Sequence, residues 1–362
     1  MYFNKYSKYK NKYLNLKRQK TNDVKQILNI AKTKRVFAMG EAMHGLDKIT
    51  QFRIAIFKKL VKYCDYTVFI LEEQFSCCEL INEYIKGKPH NPLNLMINLM
   101  WAWKSQYILN LIKWMKKYNK ENNNILEFKG IDINYICPDY NKQTDQIAEL
   151  AKNLHNMRQE LESKRNIEFD DPNIFLSKNE IDDSNFRDKS MFKIFMKLYD
   201  PSKKYFIFAG NGHVEKDNED YLDKNDIIKF IRFGHYLYNE FENDYYTIGN
   251  TFFGSSYLGF NMDTPNEFNL EIANFGDKFD LSKITVLDNK SQQIKKIDKN
   301  LIFYPKSGLN FIINKIKNLF IITGGSSMSK SDPYKFLWGS KIDNKFDAIY
   351  FIPNDQALNI IK

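Results

Sequence analysis

The chain has 362 residues, of which 43% are hydrophobic and 15% aromatic, so it can bury the core of one large domain and is not disordered in composition. Its net charge is +10, but seven basic residues and no acidic residue lie in residues 1–20; the rest is nearly balanced and lacks the clustered charge of a specific nucleic-acid-binding face. Four cysteines without a CxxC pair exclude a zinc ribbon and a thioredoxin-like site, and they predict reduced thiols in a cytoplasmic protein with neither signal peptide nor transmembrane segment.

The first segment in chain order is a basic arm over residues 1–22. Apolar residues recur in it at steps of three and four, as on one face of a helix: Tyr2, Tyr6, Tyr9, Tyr13 and Leu16. We expect this face to pack on the body of the protein or on a partner, and the lysines around it suit an acidic partner. A membrane-surface or nucleic-acid-binding arm is the alternative. The segment resembles the Lys/Tyr-rich leader segments of giant DNA virus proteins, which would place the chain in a host cytoplasm.

After the arm, short apolar runs alternate with helical patterns through the domain predicted over 23–362. The runs typical of buried strands are Arg35–Met39, Thr67–Leu71, Ile125–Ile131, Tyr205–Ala209, Tyr245–Ile248 and Ala348–Ile352. Helices are predicted at about 46–63, 73–86, 93–119, 141–164 and 187–199. This alternation predicts an α/β fold, with a central, mostly parallel sheet, helices on both faces and a helical insert at about 138–200.

Charged and imidazole side chains follow four of these predicted strands. Glu41 and His44 come after the first, within Gly-Glu-Ala-Met-His-Gly; Glu72 closes the second, Asp132 the third, and His213 follows the fourth. Ligands of open α/β sheets bind outside the carboxyl ends of the strands. We therefore expect these residues to converge on one cleft, although a single histidine in such a turn would more simply be structural.

Arg53 falls beside the apolar stripe of the helix that follows His44. A guanidinium in that position needs a carboxylate or an anionic ligand, and Glu72 is the carboxylate we expect it to meet. The alternative is an arginine that reaches along the edge of the stripe to solvent.

Several catalytic motifs are missing from the sequence. It has no GxSxG nucleophile elbow, no Walker A loop, no Rossmann GxGxxG and no HExxH helix. A serine nucleophile of the elbow type and a zincin mechanism are therefore excluded.

The pattern as a whole resembles the erythromycin esterase-like family over about residues 25–355. The residues that carry the resemblance are Gly40-Glu41-x-x-His44-Gly45, Arg53, Glu72, Trp103, Trp114-Met115, Gly130-Ile131-Asp132, Arg187-Asp188-x-x-Met191, Asn211-Gly212-His213-Val214, Tyr246-x-Ile248-Gly249 and Phe346-Asp347-Ala348. The resemblance implies hydrolysis of an ester or lactone, with His44 activating water and Glu41 and Glu72 as its acidic partners. It also implies that Arg53 holds the carboxylates or the substrate carbonyl and that His213 is a second imidazole.

This chain departs from the family pattern after the fourth strand. The family usually has His-Asn-x-His there, and here the first position is Gly210. Lys104 and Gln106 also replace the polar residues usual near the tryptophan, so the macrolide substrate is not carried over.

The sequence therefore predicts an esterase or lactonase for a small-molecule substrate, with His44, Glu41, Glu72, Arg53 and His213 as catalytic residues and no cofactor. The predicted substrate-binding residues are Asp132, Asn211 and Trp103. Two alternatives stay open: a hydrolase that binds a divalent metal through Glu41, His44, Glu72 and His213, and a catalytically silent homologue that keeps the pocket as a binding module.

Overall fold

The computed structural model describes most of the chain from residue 23 onward. The described ranges are 23–135, 137, 146–163, 178–217, 219–223, 226–253, 256–261, 270–274, 285–288, 293–296, 311–313, 320–324, 327–328, 338–341, 345–353 and 356–361. The basic arm predicted at 1–22 lies outside them. No helix in these ranges is long and apolar enough to cross a membrane.

The centre of the molecule is a seven-stranded sheet in the order β12-β16-β7-β1-β4-β2-β3. Six of its strands are parallel, and they are the six predicted from the sequence: β1 Val36–Glu41, β2 Val68–Gln74, β3 Glu127–Asp132, β4 Tyr205–Gly210, β7 Tyr245–Phe253 and β16 Ala348–Pro353. The edge strand β12, Phe311–Ile313, pairs antiparallel with β16. The predicted α/β fold with a mostly parallel sheet is therefore confirmed.

Alternate residues of each strand enter two separate cores, one on each face of the sheet. In β1, Phe37 and Met39 face one core while Val36 and Ala38 face the other. Side chains alternate sides along a strand, so a strand covered on both faces must be apolar throughout, as its sequence is.

Helices cover both faces. They are α1 (residues 23–31), α2 Asp47–Cys64, α3 Phe75–Ile85, α4 Pro92–Ile97, α5 Gln106–Glu121, α6 Gln146–Ser163, α7 Lys178–Leu198, α8 Asn211–Val214 and α9 Phe233–Phe241. Helices α2, α3 and α5 contribute to the first core, and α6, α7 and α9 to the second. Two short 3-10 helices complete the set, Trp101–Trp103 and Glu242–Asp244.

The long helix predicted at 93–119 is in fact broken. It forms α4, the 3-10 turn Trp101–Trp103 and α5. Ser105 accepts a hydrogen bond from the Ile108 amide and so caps α5, while Met100 donates its backbone N–H to buried Glu73. Helical spacing continues across the break, so the sequence pattern alone did not reveal it.

The region predicted as a helical insert contains α6 and α7, which pack on each other. Helix α7 begins at Lys178, earlier than the predicted start at 187. The remaining strands form small sheets outside the central one: β5 Glu219–Asp223 with β6 Asp226–Phe230; β14 Ser327–Met328, β8 Ser256–Asn261 and β9 Leu270–Asn274; and β11 Gln293–Lys296, β10 Thr285–Asp288, β15 Trp338–Lys341 and β13 Phe320–Gly324.

Strands β1 and β4 form the switch point of the sheet. They are adjacent, with Glu41 opposite Gly210, but the chain leaves β1 through α2 toward β2 and leaves β4 through α9 toward β7, on the opposite side. Such a switch point opens a crevice at the carboxyl ends of the two strands, where α/β proteins bind ligands.

Candidate active site

The first functional group at the switch point is the pair formed by Glu41 and His44. Glu41 ends β1, and His44 Nδ1 lies 2.5 Å from Glu41 Oε1. Gly45, with φ of 78°, turns the chain into α2. The rings of Trp101 and Trp103 meet the imidazole edge-on, with centroids 6.3 and 5.3 Å away. Because Nδ1 is held by Glu41, Nε2 is the ring nitrogen left to act on a ligand.

Arg53 supports this pair from the core. Its guanidinium pairs with the second oxygen of Glu41 and donates to the carbonyls of Met39 and Ala209, at 3.2 and 3.1 Å. The group also stacks on Phe208, 3.4 Å from the ring centroid. The side chain is fully buried, and burial lowers the pKa of Arg53 to about 10.

The predicted partner of Arg53 was Glu72, and that prediction is wrong. Helix α2 packs over β1 and β4, as the carbonyls of Met39 and Ala209 show. The arginine therefore meets the carboxylate at the end of β1. The Arg53 side chain is fully buried and contacts Glu41.

Glu72 lies between the two histidines of the site. One oxygen accepts a hydrogen bond from the Gly210 amide at 2.6 Å. The other lies 2.8 Å from Arg187 Nη2 and 3.2 Å from His213 Nε2. Burial alone would raise the pKa of Glu72, but His213 and Arg187, with His44, hold it well below the usual range. The group is therefore a buried carboxylate at neutral pH.

His213 forms a second carboxylate–imidazole pair with Asp188 of α7. His213 Nδ1 lies 2.8 Å from Asp188 Oδ1, which also accepts the Phe233 amide. Burial opposes charge on the ring, but Asp188 and Glu72 outweigh it and raise the pKa of His213 to about 9. As a cation, the ring donates from Nε2 to Glu72; as the neutral Nδ1–H form, it accepts at Nε2 from Arg187 Nη1, 2.9 Å away.

Arg187 contacts side chains of three elements: the carboxylates of Glu72 and Asp132 and the imidazole of His213. It binds both oxygens of Asp132 at 2.9 and 2.7 Å, in addition to Glu72 and His213. In the sequence, Arg187 and Asp188 are predicted only as part of the family motif. Their adjacency on one helix was the signal that could have assigned both to the site.

The three predicted substrate-binding residues are all close to this cluster but are engaged by the protein. Asp132 is held by Arg187, and Trp103 donates its indole N–H to the Glu72 carbonyl at 2.9 Å. Asn211 exchanges two hydrogen bonds with the backbone of Asn250 in β7, at 2.7 and 2.9 Å. These contacts give all three residues a supporting part in the site.

Gly210 leaves room beside Glu72 and His213. A Cβ atom built on it would lie 3.5 Å from Glu72 Oε2 and 3.7 Å from His213 Cδ2, which are ordinary contacts. The backbone has φ of −64°, which L-residues adopt without strain. The side chain that the family usually carries at this position would therefore enter the cluster.

Glu73 is a further buried carboxylate that the sequence analysis did not assign. It accepts hydrogen bonds from the backbone of Gln74 and Met100 and from the Tyr135 hydroxyl. Burial, which outweighs these bonds, raises the pKa of Glu73 to about 7. Through Met100 it anchors the 3-10 turn that carries the two tryptophans next to His44.

The described part of the site thus offers two imidazoles, each oriented by its own carboxylate. The Glu41 hydrogen bond and the charges of Glu41 and Glu72 raise the pKa of His44 against the effect of its burial. The charge of His213 acts on the His44 ring in the opposite direction and lowers its pKa. The two rings can therefore act on one ligand as a proton-acceptor and proton-donor pair.

Comparison with known proteins finds one matching family model and several solved structures of similar fold. The family model for erythromycin esterase matches residues 61–173. The fold is similar to that of a succinoglycan biosynthesis protein (16% identity, TM-score 0.61, 93% of this chain and 92% of that chain) and of a Bacillus cereus protein (17%, 0.62, 94% and 93%). It is also similar to a histidine-to-asparagine mutant of the erythromycin esterase EreC in its open conformation (13%, 0.57, 94% and 96%). No curated protein sequence matches significantly.

Proposed function

We propose that this protein, whose family match and fold identify it as erythromycin esterase-like, hydrolyses a small carboxylic ester or lactone by direct attack of water. The observation that carries the proposal is the convergence of two carboxylate-oriented imidazoles, Glu41–His44 and Asp188–His213, at the switch point of the sheet. An ester hydrolase of this kind needs one proton acceptor and one proton donor, and no nucleophilic side chain.

In the proposed reaction, Nε2 of neutral His44 takes a proton from water as the water oxygen bonds to the ester carbonyl carbon. Glu41, held by Arg53, stabilises the imidazolium that forms. The tetrahedral intermediate then collapses and the bond to the leaving oxygen breaks. His213 gives its Nε2 proton to that oxygen, so that the products are a carboxylic acid and an alcohol.

The raised pKa of His213 supports this division of roles. His213, with a pKa of about 9, holds its proton at neutral pH and suits the acid. His44 suits the role of base because Glu41 contacts its Nδ1 and leaves Nε2 to accept a proton from water. The proposed acid role of His213 requires its Nε2 to face the leaving group, which is the same atom that Glu72 and Arg187 contact.

A divalent metal does not fit this donor set well. Glu41 is paired with Arg53, and Glu72 is paired with Arg187. A cation bound by these carboxylates would therefore lie against two guanidinium groups. We accordingly propose a reaction that uses the protein's own acid and base.

The experiment is a panel of activated esters, aliphatic esters and lactones, assayed with purified protein before and after treatment with a strong chelator. We expect turnover of at least one compound class at an unchanged rate after chelation. Loss of activity with chelator, restored by a divalent cation, would favour the metal-dependent alternative.

Gly210 favours one second candidate, a binding protein that keeps the pocket without turnover. The space beside Glu72 and His213 then accommodates part of a ligand instead of a third imidazole. The same panel separates the two candidates, because a binding protein would be stabilised thermally by a compound that it does not hydrolyse.

A further inference from the structure

Arg187 has more charged partners in the site than a structural ion pair needs. Its guanidinium contacts Asp132 with two nitrogens, Glu72 with one of these, and His213 Nε2 with the third. Only 15% of the side chain is exposed. It comes from α7, whereas Glu72 and Asp132 end two strands of the sheet and His213 lies on α8.

The pair Arg187 and Asp188 brackets the ring of His213. Asp188 holds Nδ1 at 2.8 Å and Arg187 lies 2.9 Å from Nε2. Since Nδ1 is taken by Asp188, Nε2 is the only nitrogen with which this ring can reach a substrate. In the structure that nitrogen is already shared between Arg187 and Glu72.

We propose that Arg187 is a positioning residue of this site. It fixes the positions of Glu72 and His213, and it contacts Nε2 of His213, the ring nitrogen that a substrate must reach. The inference rests on the proposed function in one respect, because that function is what brings a substrate into contact with His213. Its geometric part, the fixing of Glu72 and His213, is independent of any reaction.

The charges around the ring define what loss of Arg187 does. The groups that face His213 are Asp188, Glu72 and Arg187, with His44 and Asp132 beyond them and Arg232 on the far side of Asp188. Arg187 opposes protonation of the ring, and the two carboxylates favour it. Replacing Arg187 by a neutral side chain therefore raises the affinity of His213 for its proton and releases Glu72 from one partner.

The chain contains a matched control for this change. Arg158 of α6 also forms a two-pronged pair with an aspartate of the insert, Asp183, with both distances 2.8 Å. Its side chain is 14% exposed, nearly the same as that of Arg187, but its described contacts do not include the His44–His213 cluster. Arg187→Met removes direct contacts with Glu72 and His213, whereas the described contacts of Arg158 reach the site indirectly, through Asn134 and then Asp132.

The main readout is the titration of His213, followed by NMR in protein labelled in its histidines, of which the chain has five. It needs no substrate, so it separates this inference from the proposed function. We expect Arg187→Met to raise the pKa of His213 by about half a unit or more, and Arg158→Met to leave it unchanged. An unchanged titration in Arg187→Met, or an equal shift in both variants, overturns the inference.

Arg187→Lys separates the effect of the positive charge from the effect of the guanidinium geometry. A lysine keeps the positive charge but not the planar fork that binds Asp132 and Glu72 together. We expect it to return the His213 titration toward that of the wild type without restoring the rate. If the wild type hydrolyses an ester, kcat should fall about 10- to 100-fold in Arg187→Met and Arg187→Lys with no increase in KM. A full recovery by lysine, or a KM that rises with kcat unchanged, would show that Arg187 acts as a simple charge or as a substrate-binding group.

Discussion

At the scale of the residue, Arg53 and Glu41 show how a buried charge pair supports a reacting group. Glu41 holds His44 with one oxygen and Arg53 with the other, and no part of Arg53 reaches solvent. The arginine also ties β1 to β4 through two carbonyls. The stability of the switch point and the orientation of His44 therefore depend on the same side chain.

We predict that Arg53→Met lowers the free energy of unfolding by about 3–5 kcal/mol, because it leaves the carboxylate of Glu41 buried beside an apolar group. The double variant Glu41→Leu/Arg53→Met should recover part of that loss, since neither charge is then stranded. Urea denaturation of the single variants and the double variant measures this. A double variant as unstable as the sum of the single ones would contradict the buried-pair account.

Gly210 gives the second prediction at this scale. Gly210→His should raise the rate of ester hydrolysis by about tenfold or more, because the new imidazole would stand beside Glu72 and His213 and acid–base groups contribute about 10²–10⁴-fold. Gly210→Ala is the control, since it adds a Cβ atom at ordinary contact distance from Glu72 and His213 without an imidazole. Equal rates in the wild type and both variants would count against a catalytic position at residue 210.

At the scale of the element, the parallel strands could be predicted and the helix boundaries could not. A strand buried on both faces is apolar along its whole length, as in Tyr205–Ala209, and this signal is local. The break between α4 and α5 depends on Glu73 accepting the Met100 amide, which is a tertiary contact. The antiparallel strand β12 has only three residues, all apolar, and several strands of the outer sheets are largely polar, as in β5 (EDYLD) and β11 (QIKK).

The same distinction applies within the site. Glu41, His44, Glu72 and His213 could be predicted to meet because each follows a strand, and the carboxyl ends of parallel strands share one edge. The partner of Arg53 depends on which strands α2 crosses, and the part played by Arg187 depends on how α7 lies over the sheet. Neither of these follows from periodicity.

The basic arm carries much of the net charge of the chain but no residue of the predicted site. Deleting residues 1–20 removes seven basic residues, so retention on heparin should fall while hydrolysis and the circular dichroism spectrum stay unchanged. A full-length variant with those seven residues replaced by serine serves as the control for chain length. Heparin retention that survives both changes would place the basic surface in the remainder of the chain.

At the scale of the whole molecule, the buried titratable groups tie stability to pH. His213 has a pKa of about 9 in the folded state, above its ordinary value of 6.5, so its stabilising effect is complete below about pH 6.5 and is lost as the pH rises through 9. The pKa of Glu73 is raised to about 7, so its contribution to the stability of the folded state is also lost as the pH rises. Both groups therefore act in the same direction.

We predict that the free energy of unfolding falls by roughly 3 kcal/mol between pH 6.5 and 9.5 on account of His213. His213→Gln should flatten that part of the curve and leave the change of similar size that Glu73 causes between about pH 4.5 and 7. Denaturant unfolding across this pH range measures both. A His213→Gln protein with the pH dependence of the wild type would contradict the assignment.

The central claim is that His44, oriented by Glu41, is the base of a hydrolytic site. The measurement that tests it most directly is the pH dependence of kcat/KM for nitrophenyl acetate in the wild type, His44→Gln and His90→Gln. His90 is the matched control, because it also pairs with a glutamate, Glu83, at 3.0 Å, on α3 and the loop that follows it. We predict that the wild type and His90→Gln share one profile, rising above the usual histidine pKa and falling near 9, and that His44→Gln loses about 10²–10⁴-fold. Activity that survives in His44→Gln, or that falls equally in His90→Gln, would contradict the account.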